Sequence, residues 1–205
     1  METKTLGITG GIGSGKSYIS AFLESEGVKV YNSDSRTKEL YTENKRLLTG
    51  LKKILGPEIE NKETHKPDFK VMASKIFNNE ELMQAVREYV YPFVMKDFQT
   101  WKKRQANNKT TNNNTTIVGF ESAVILESDY VKGFMDKVLL VTAPLPVRIE
   151  RVVKRDNCTR EAALERISNQ WSDEQRRPLA DYEIVSVDGN NVGKEIKKII
   201  ADLSK

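Results

Sequence analysis

The segment Gly10–Ser17, which reads GGIGSGKS, constrains the fold of this chain more than any other feature. It has the form G-x-x-x-x-G-K-S, in which glycines let successive backbone N–H groups turn inward around phosphate oxygens. The run Lys4–Thr9 before it predicts a short strand, and helical spacing of apolar residues after it predicts a helix over Lys16–Glu26. The phosphate loop therefore stands between a strand and a helix, whose dipole favours a bound anion.

This loop predicts ATP and Mg²⁺ as cofactors. Lys16 is expected to reach the β- and γ-phosphates of ATP, and the Ser17 hydroxyl is expected to bind Mg²⁺. The residues expected to bind the nucleotide are Gly11, Ile12, Gly13, Ser14, Gly15, Lys16, Ser17 and Tyr18.

Length and composition limit the function classes. A chain of 205 residues can form one domain with a core, an insertion and a lid, and its net charge of +4 suits anionic small molecules as well as nucleic acid. Cys158 is the only cysteine, which excludes an internal disulfide and a cysteine-based zinc site. The best basic stretch, Trp101–Arg104, is short and typical of a solvated helix face. Without an apolar run of about 20 residues or a leader, we expect a cytoplasmic enzyme with no membrane or nucleic-acid partner.

The pattern along the chain predicts an α/β protein with a three-layer P-loop fold and a parallel central sheet. Gly27 ends the first helix and Val28–Tyr31 begins a second strand, which closes a βαβ unit. Further strands are expected at Ile117–Phe120, Ala123–Leu126, Lys137–Val141 and Ile184–Val187, and further helices at Pro146–Arg155, Arg160–Trp171 and Val192–Leu203.

Within this single unit we expect three parts. The core covers residues 1–34, 115–145 and 178–205, a helical substrate-binding insertion covers 35–105, and a helical lid covers 146–177. The polar, low-complexity segment Ala106–Thr116 is expected to form an exposed loop.

Other motifs narrow the class of nucleotide-binding protein. The Asn-Lys-x-Asp and Asp-x-x-Gly segments that regulatory GTPases need are absent, as is the Leu-Ser-Gly-Gly signature of transport ATPases. Small-molecule kinases remain.

Asp34 lies just past the second predicted strand, at the end that faces the same crevice as the phosphate loop in a parallel sheet. It can accept the proton of an attacking hydroxyl or orient that hydroxyl toward the γ-phosphate. Because Ser33-Asp34 precedes a helical stretch, a helix cap is the alternative, and position alone does not separate the two.

Arginines in the predicted lid can neutralise charge on a moving phosphoryl group. They are Arg148, Arg151, Arg155, Arg160, Arg176 and Arg177. The first three recur at three and four residues and share one helix face. As a group they predict a lid, whereas for any one of them alone a solvated side chain is the favoured interpretation. Glu121 and Glu127 are further candidates for the Mg²⁺ shell or the acceptor hydroxyl.

Several motifs together resemble the dephospho-coenzyme A kinase family. Gly7–Ser17 matches its phosphate loop, and Val30–Asp34 resembles its Asp-x-Asp, with Asn32 in place of the first aspartate. Tyr91-Pro92 stands where the family usually has His-Pro. Other matches are Ala123–Glu127, which resembles Pro-Leu-Leu-Phe-Glu, and the lid pattern at Arg151, Lys154–Asp156, Thr159–Glu161, Asn169-Gln170 and Arg176.

This resemblance implies transfer of the ATP γ-phosphoryl group to the ribose 3′-hydroxyl of dephospho-coenzyme A, the last step of coenzyme A synthesis. It favours Asp34 as the catalytic base or hydroxyl-orienting group. It also implies that Arg155 and Arg176 act with Lys16 in catalysis, and that Arg151 binds the nucleotide. Expected partners are ATP and dephospho-coenzyme A, with the chain a monomer or small homo-oligomer.

Two alternatives remain at this stage. A nucleoside monophosphate kinase shares the core and lid but phosphorylates a phosphate rather than a hydroxyl. A non-catalytic nucleotide- or nucleic-acid-binding module would fit the basic charge and would bind in a salt-sensitive way.

Overall fold

The computed structural model describes residues 2–76, 79–107, 115–187 and 189–205. The strands are β1 (Glu2–Thr9), β2 (Lys29–Asn32), β3 (Thr115–Glu121), β4 (Lys137–Thr142) and β5 (Tyr182–Val185). The α-helices are α1 (Lys16–Ser25), α2 (Ser33–Glu43), α3 (Lys45–Leu55), α4 (Phe69–Ile76), α5 (Glu80–Asn107), α6 (Asp129–Lys132), α7 (Leu145–Asp156), α8 (Arg160–Ser168), α9 (Asp173–Arg176) and α10 (Val192–Leu203). Short 3₁₀ helices occur at Pro57–Ile59, Ile125–Glu127 and Arg177–Leu179.

Two compact units divide the chain. The first, which we call the sheet unit, comprises Met1–Asn32 and Lys102–Lys205, and the second, the helical unit, comprises Ser33–Trp101. None of the helices in the described ranges has the length and apolar character that a membrane span requires.

The sheet unit contains a five-stranded parallel sheet in the order β2-β3-β1-β4-β5. β1 is the central strand, with Ile8 opposite Glu121 of β3 on one side and opposite Leu139 of β4 on the other. This arrangement confirms the predicted α/β fold with a parallel central sheet.

The two faces of β1 pack against different layers, because successive side chains point to opposite sides of a strand. Leu6 and Ile8 are fully buried in a core with residues of α1 and α10, including Ile19, Leu23, Ile196 and Leu203. On the opposite face, a Cβ added to Gly7 would meet Met135 and Ile125, and the Thr5 hydroxyl accepts a hydrogen bond from Lys102. Helical segments therefore cover both faces of the sheet.

The helical unit buries one stripe of α3. Leu47, Leu51 and Leu55 recur every four residues and are all buried. Asn44 caps this helix by accepting a hydrogen bond from the Leu47 N–H at 3.1 Å. Across the unit, the Arg36 guanidinium of α2 donates to Asp97 of α5 at 2.9 Å.

Four sequence predictions require correction. Ala123–Leu126 is not a strand, because the chain leaves the sheet after Glu121 and buries Ile125 and Leu126 in a 3₁₀ turn. Short apolar runs have no period that separates a strand from a helical turn.

The other corrections concern boundaries. The last strand is Tyr182–Val185 rather than Ile184–Val187, and α8 ends at Ser168 rather than Trp171. Of the expected loop Ala106–Thr116, the first two residues finish α5 and the last two begin β3, while residues 108–114 lie outside the described residues.

We expect Leu139→Ala to lower the free energy of unfolding by about 2–5 kcal/mol, because truncating a fully buried leucine leaves a cavity. Val185→Ala in the edge strand β5 is the control and should change it by about 0.5 kcal/mol or less, since Val185 is 40% exposed. Urea unfolding followed by far-UV circular dichroism measures both. Equal losses would contradict the interior position of β4.

Candidate active site around the phosphate loop

The phosphate loop joins the end of β1 to the start of α1. Gly13 and Gly15 have φ values of +77° and +99°, a left-handed region that glycine adopts without strain. Neither position has room for a side chain, because a Cβ on Gly13 would meet the backbone of Arg148 and one on Gly15 would meet the Ser186 hydroxyl. The loop backbone follows the tight curve that its glycine pattern predicts.

The Lys16 side chain folds back over this loop. Its Nζ donates to the carbonyl oxygens of Gly10 at 2.7 Å and of Gly11 at 3.1 Å. The Ser14 hydroxyl is buried next to Gly10 and has no hydrogen-bond partner in the described part of the chain. An ammonium group, an unpartnered hydroxyl and the first turn of the ten-residue helix α1 thus lie at one place, and each of them favours an anion.

Ser17 and Glu121 form an oxygen-rich pair beside the loop. The Ser17 Oγ donates to Glu121 Oε1 at 3.0 Å, and Glu121 ends β3 with only 6% of its surface exposed. Among residues 2–76, 79–107, 115–187 and 189–205, no three His, Cys, Asp or Glu side chains cluster as a metal site. Mg²⁺ commonly takes only one or two protein oxygens and completes its shell with water and phosphate. The Ser17 hydroxyl and the Glu121 carboxylate fit a Mg²⁺ site of that kind.

Two arginines of α7 bind carbonyl groups of the loop. Arg148 Nε donates to the Ile12 carbonyl at 3.0 Å, and Arg151 Nη1 lies 3.3 Å from the carbonyl oxygens of both Gly13 and Ser14. The spacing of these arginines predicts a shared helix face. It does not predict that Arg148 is buried, with 6% of its surface exposed.

A glutamine after α8 makes a further contact with the loop. Gln170 Oε1 accepts a hydrogen bond from the Ile12 N–H at 2.7 Å. A lone amide carries no chemical signature, so reasoning from residue types missed this contact. Only the place of Gln170 in the lid pattern that resembles the kinase family could have indicated it.

Arg176 is fully buried and belongs to a line of alternating charges. Its Nη2 donates to Glu127 Oε1 at 3.0 Å, its Nη1 donates to the Trp171 carbonyl, and Asp173 lies 3.8 Å away. Asp173 Oδ2 is in turn 3.5 Å from Arg148 Nη1. Burial raises the pKa of Asp173 and lowers the pKa of Arg148, because both charged forms lose hydration. The line runs from Glu127 to the phosphate loop.

Arg155 has the opposite environment. It lies in the last turn of α7, its side chain is 60% exposed, and it donates to both carboxylate oxygens of Asp156 at 2.7 and 2.9 Å. These hydrogen bonds lower the pKa of Asp156, and Arg166 contributes from 2.9 Å. The exposed Arg155 therefore has one partner on its own helix, whereas Arg176 is enclosed.

Asp34 and Tyr18 occupy the first turns of two helices. Asp34 is the second residue of α2 in the helical unit, where an exposed carboxylate interacts favourably with the helix dipole. Tyr18 lies on α1 with 58% of its surface exposed. The roles assigned to both residues stay predictions, as do those of Arg155 and Arg176.

We expect Arg176→Met to lower the free energy of unfolding by about 3–5 kcal/mol, because Glu127 then stays buried without this guanidinium. Arg155→Met removes an exposed ion pair and should cost about 1 kcal/mol or less. Urea unfolding of both variants makes the comparison. If adding Glu127→Leu to Arg176→Met recovered none of the loss, the ion pair would not be its cause.

Comparison with known proteins assigns the chain to a family. A family model described as dephospho-CoA kinase matches residues 4–192. A dephospho-CoA kinase from Bacteroides fragilis is 32% identical over 198 residues, which cover 97% of this chain and 92% of the relative. A crystal structure from Thermus thermophilus superposes with a TM-score of 0.80 at 28% identity over 99% of both chains. A dephospho-CoA kinase from Campylobacter jejuni has a TM-score of 0.57 at 21% identity, over 98% of this chain and 97% of that one, and shares the fold.

The matched residues include the phosphate loop, the Ser17–Glu121 pair, and Arg148 and Arg151, which bind carbonyl groups of the loop. With the family model matching over most of its length, the chain belongs to the dephospho-CoA kinase family.

Proposed function

We propose that this protein transfers the γ-phosphoryl group of ATP to the ribose 3′-hydroxyl of dephospho-CoA and releases CoA and ADP. The observation that carries the proposal is the family match over residues 4–192, which includes an intact phosphate loop. A nucleoside monophosphate kinase is not favoured, since the relatives compared above bear the dephospho-CoA kinase name. The proposed reaction is the last step of CoA biosynthesis, in the cytoplasm.

In this proposal ATP is bound by the loop residues Gly11–Ser17, which include Lys16, and by Tyr18 and Arg151. Backbone N–H groups and the N-terminus of α1 hold the phosphate oxygens, and the Lys16 ammonium exchanges its carbonyl partners for phosphate. Ser17 and Glu121 would hold Mg²⁺, directly or through water. When bound, Mg²⁺ neutralises part of the charge on the phosphates.

The acceptor side depends on Asp34. The 3′-hydroxyl oxygen forms a bond to the γ-phosphorus while the bond from that phosphorus to the bridging oxygen of ADP breaks, and the hydroxyl proton passes to the Asp34 carboxylate. Phosphoryl transfer needs little covalent chemistry from the protein, so the main task of Asp34 is to orient the hydroxyl and take its proton. The helical unit that begins at Ser33 would grip the rest of dephospho-CoA.

Arg155 and Arg176 provide positive charge for the transferring phosphoryl group. Arg155 can leave Asp156 for a phosphate oxygen at low cost, because exposed ion pairs contribute about 1 kcal/mol or less. Arg176 carries a buried Nε with no hydrogen-bond partner in the described residues, a donor that a phosphate oxygen would satisfy. In this proposal residues 146–177 form the lid that brings these groups to ATP.

Acceptor profiling tests the proposed reaction. We expect the purified protein, ATP and Mg²⁺ to form ADP when dephospho-CoA is added, and AMP, CMP or GMP to support less than about 1% of that rate, since each offers a different acceptor group and geometry. Liquid chromatography with mass spectrometry identifies the product. Turnover with a nucleoside monophosphate but not with dephospho-CoA would contradict the proposed reaction.

Asp34→Asn tests the role of the carboxylate. We expect it to lower kcat by about 10²- to 10⁴-fold, because a positioned base contributes this much, and to leave ATP affinity unchanged. Asp129→Asn removes an exposed carboxylate from the first turn of α6 and is the matched control. Steady-state kinetics with calorimetric ATP titration separates the two effects. A kcat equal to that of Asp129→Asn would show that Asp34 has only a structural role in α2.

A further inference from the structure

Arg148 contacts the phosphate loop through a backbone carbonyl group. Its Nε donates to the Ile12 carbonyl at 3.0 Å, and a Cβ added to Gly11 would collide with its guanidinium. A Cβ on Gly13 would meet the backbone of Arg148 itself. The loop from Gly11 to Gly13 therefore packs directly on this one residue of α7.

The trans peptide bond relates the direction of the Ile12 carbonyl to that of the N–H that follows it. The described chain has no cis peptide bond, and in a trans peptide the C=O and the following N–H point in opposite directions. When Arg148 holds the Ile12 carbonyl, the Gly13 N–H is directed to the other side of the loop. Gln170 fixes the preceding peptide in the opposite sense, since its Oε1 takes the Ile12 N–H while the Gly11 carbonyl accepts from Lys16.

Stability does not explain the choice of arginine at this position. The guanidinium is buried, its Nη2 has no hydrogen-bond partner among the described residues, and burial lowers its pKa. An unpartnered buried donor destabilises the folded state, and apolar residues of similar volume are often as good as a buried ion pair or better. The burial of Arg148 therefore needs an explanation other than stability.

We propose that Arg148 is a positioning residue for ATP binding, which holds the Ile12 carbonyl so that the Gly13 N–H faces the phosphates before ATP arrives. This inference rests on the proposed function in taking ATP as the ligand. Preorganised donors bind an anion more tightly, because no free energy is spent on ordering them.

Asp173 in turn orients Arg148. Its Oδ2 lies 3.5 Å from Arg148 Nη1, and it also faces Arg176 at 3.8 Å. Arg148 is thus fixed at both ends, by the loop carbonyl and by a carboxylate of α9. The Asp173 contact links the phosphate loop to the same buried charge line that holds Arg176.

The experiment measures ATP affinity by calorimetry without an acceptor, together with kcat, the KM for ATP and the unfolding midpoint of the unliganded protein. For Arg148→Met we expect ATP affinity to fall about 10- to 100-fold, a typical loss when a residue that orients ligand-binding groups is removed. The KM for ATP should rise by a similar factor, while kcat at saturating ATP changes by less than about threefold because the transferring groups are untouched.

Two further variants and a control complete the test. Arg148→Lys keeps one donor for the Ile12 carbonyl and should recover part of the affinity. Arg148→Met combined with Asp173→Leu removes both buried charges and should restore stability that the single variant loses, while ATP binding stays weak. Arg104→Met, an exposed arginine of α5, should leave every measured quantity unchanged.

Two results would overturn the inference. One is unaltered ATP affinity in Arg148→Met. The other is ATP affinity that returns together with stability in the double variant, since this would make Arg148 a purely structural residue. Failure of the proposed function is distinguishable from both, because it would be seen in the unsubstituted protein as absence of turnover with dephospho-CoA, whereas ATP affinity is measured here without any acceptor.

Discussion

β1 pairs with β3 on one side and β4 on the other, and its two faces pack against different helical layers. A strand enclosed in this way cannot shift without disturbing the whole sheet, so the loop that leaves its carboxyl end starts from a fixed point. Other strands of the sheet supply groups around the loop. Glu121 ends β3 and accepts a hydrogen bond from Ser17, while the carbonyl of Ser186, just after β5, accepts one at 2.9 Å from Arg151, which also contacts the loop.

Buried charge is concentrated between this loop and α9. Glu127, Arg176, Asp173 and Arg148 alternate in sign, and the end member contacts the loop backbone rather than another carboxylate. Charges removed from water weaken a protein unless each is closely paired, and two of the contacts in this line are longer than 3.4 Å. This loss of stability is expected at a site where the position of the phosphate-loop backbone matters more than the free energy of unfolding.

Local features of the sequence predicted the first part of the fold well. The strand before Gly10, the helix after Lys16 and the strand after Gly27 follow from neighbouring residues. The strand order could not be predicted, because pairing of β1 with β3 joins residues more than 100 positions apart, which no local pattern relates. Ala123–Leu126 looked like a strand because a short apolar run has no period that separates a strand from a helical turn.

The site was predictable to the extent that a motif marks it. Lys16 and Ser17 were recognised because the spacing of the loop defines their chemistry, and Glu121 was considered because it closes an apolar run. Helical spacing placed Arg148 and Arg155 on one face. It could not show that the first is buried and the second exposed, since depth depends on what α7 packs against.

This difference in depth sets how the proposed lid, residues 146–177, would move. Arg148 and Arg176 are held by buried contacts whose rupture costs several kcal/mol, whereas Arg155 is held by an exposed pair that contributes about 1 kcal/mol or less. In the proposed reaction, ATP phosphates would therefore redirect Arg155 without disturbing the loop. Arg176 is fully buried, so a phosphate oxygen would reach its Nε only after neighbouring groups had moved aside. Closure would then consist of movement at the far end of α7 about a near end that Arg148 keeps fixed.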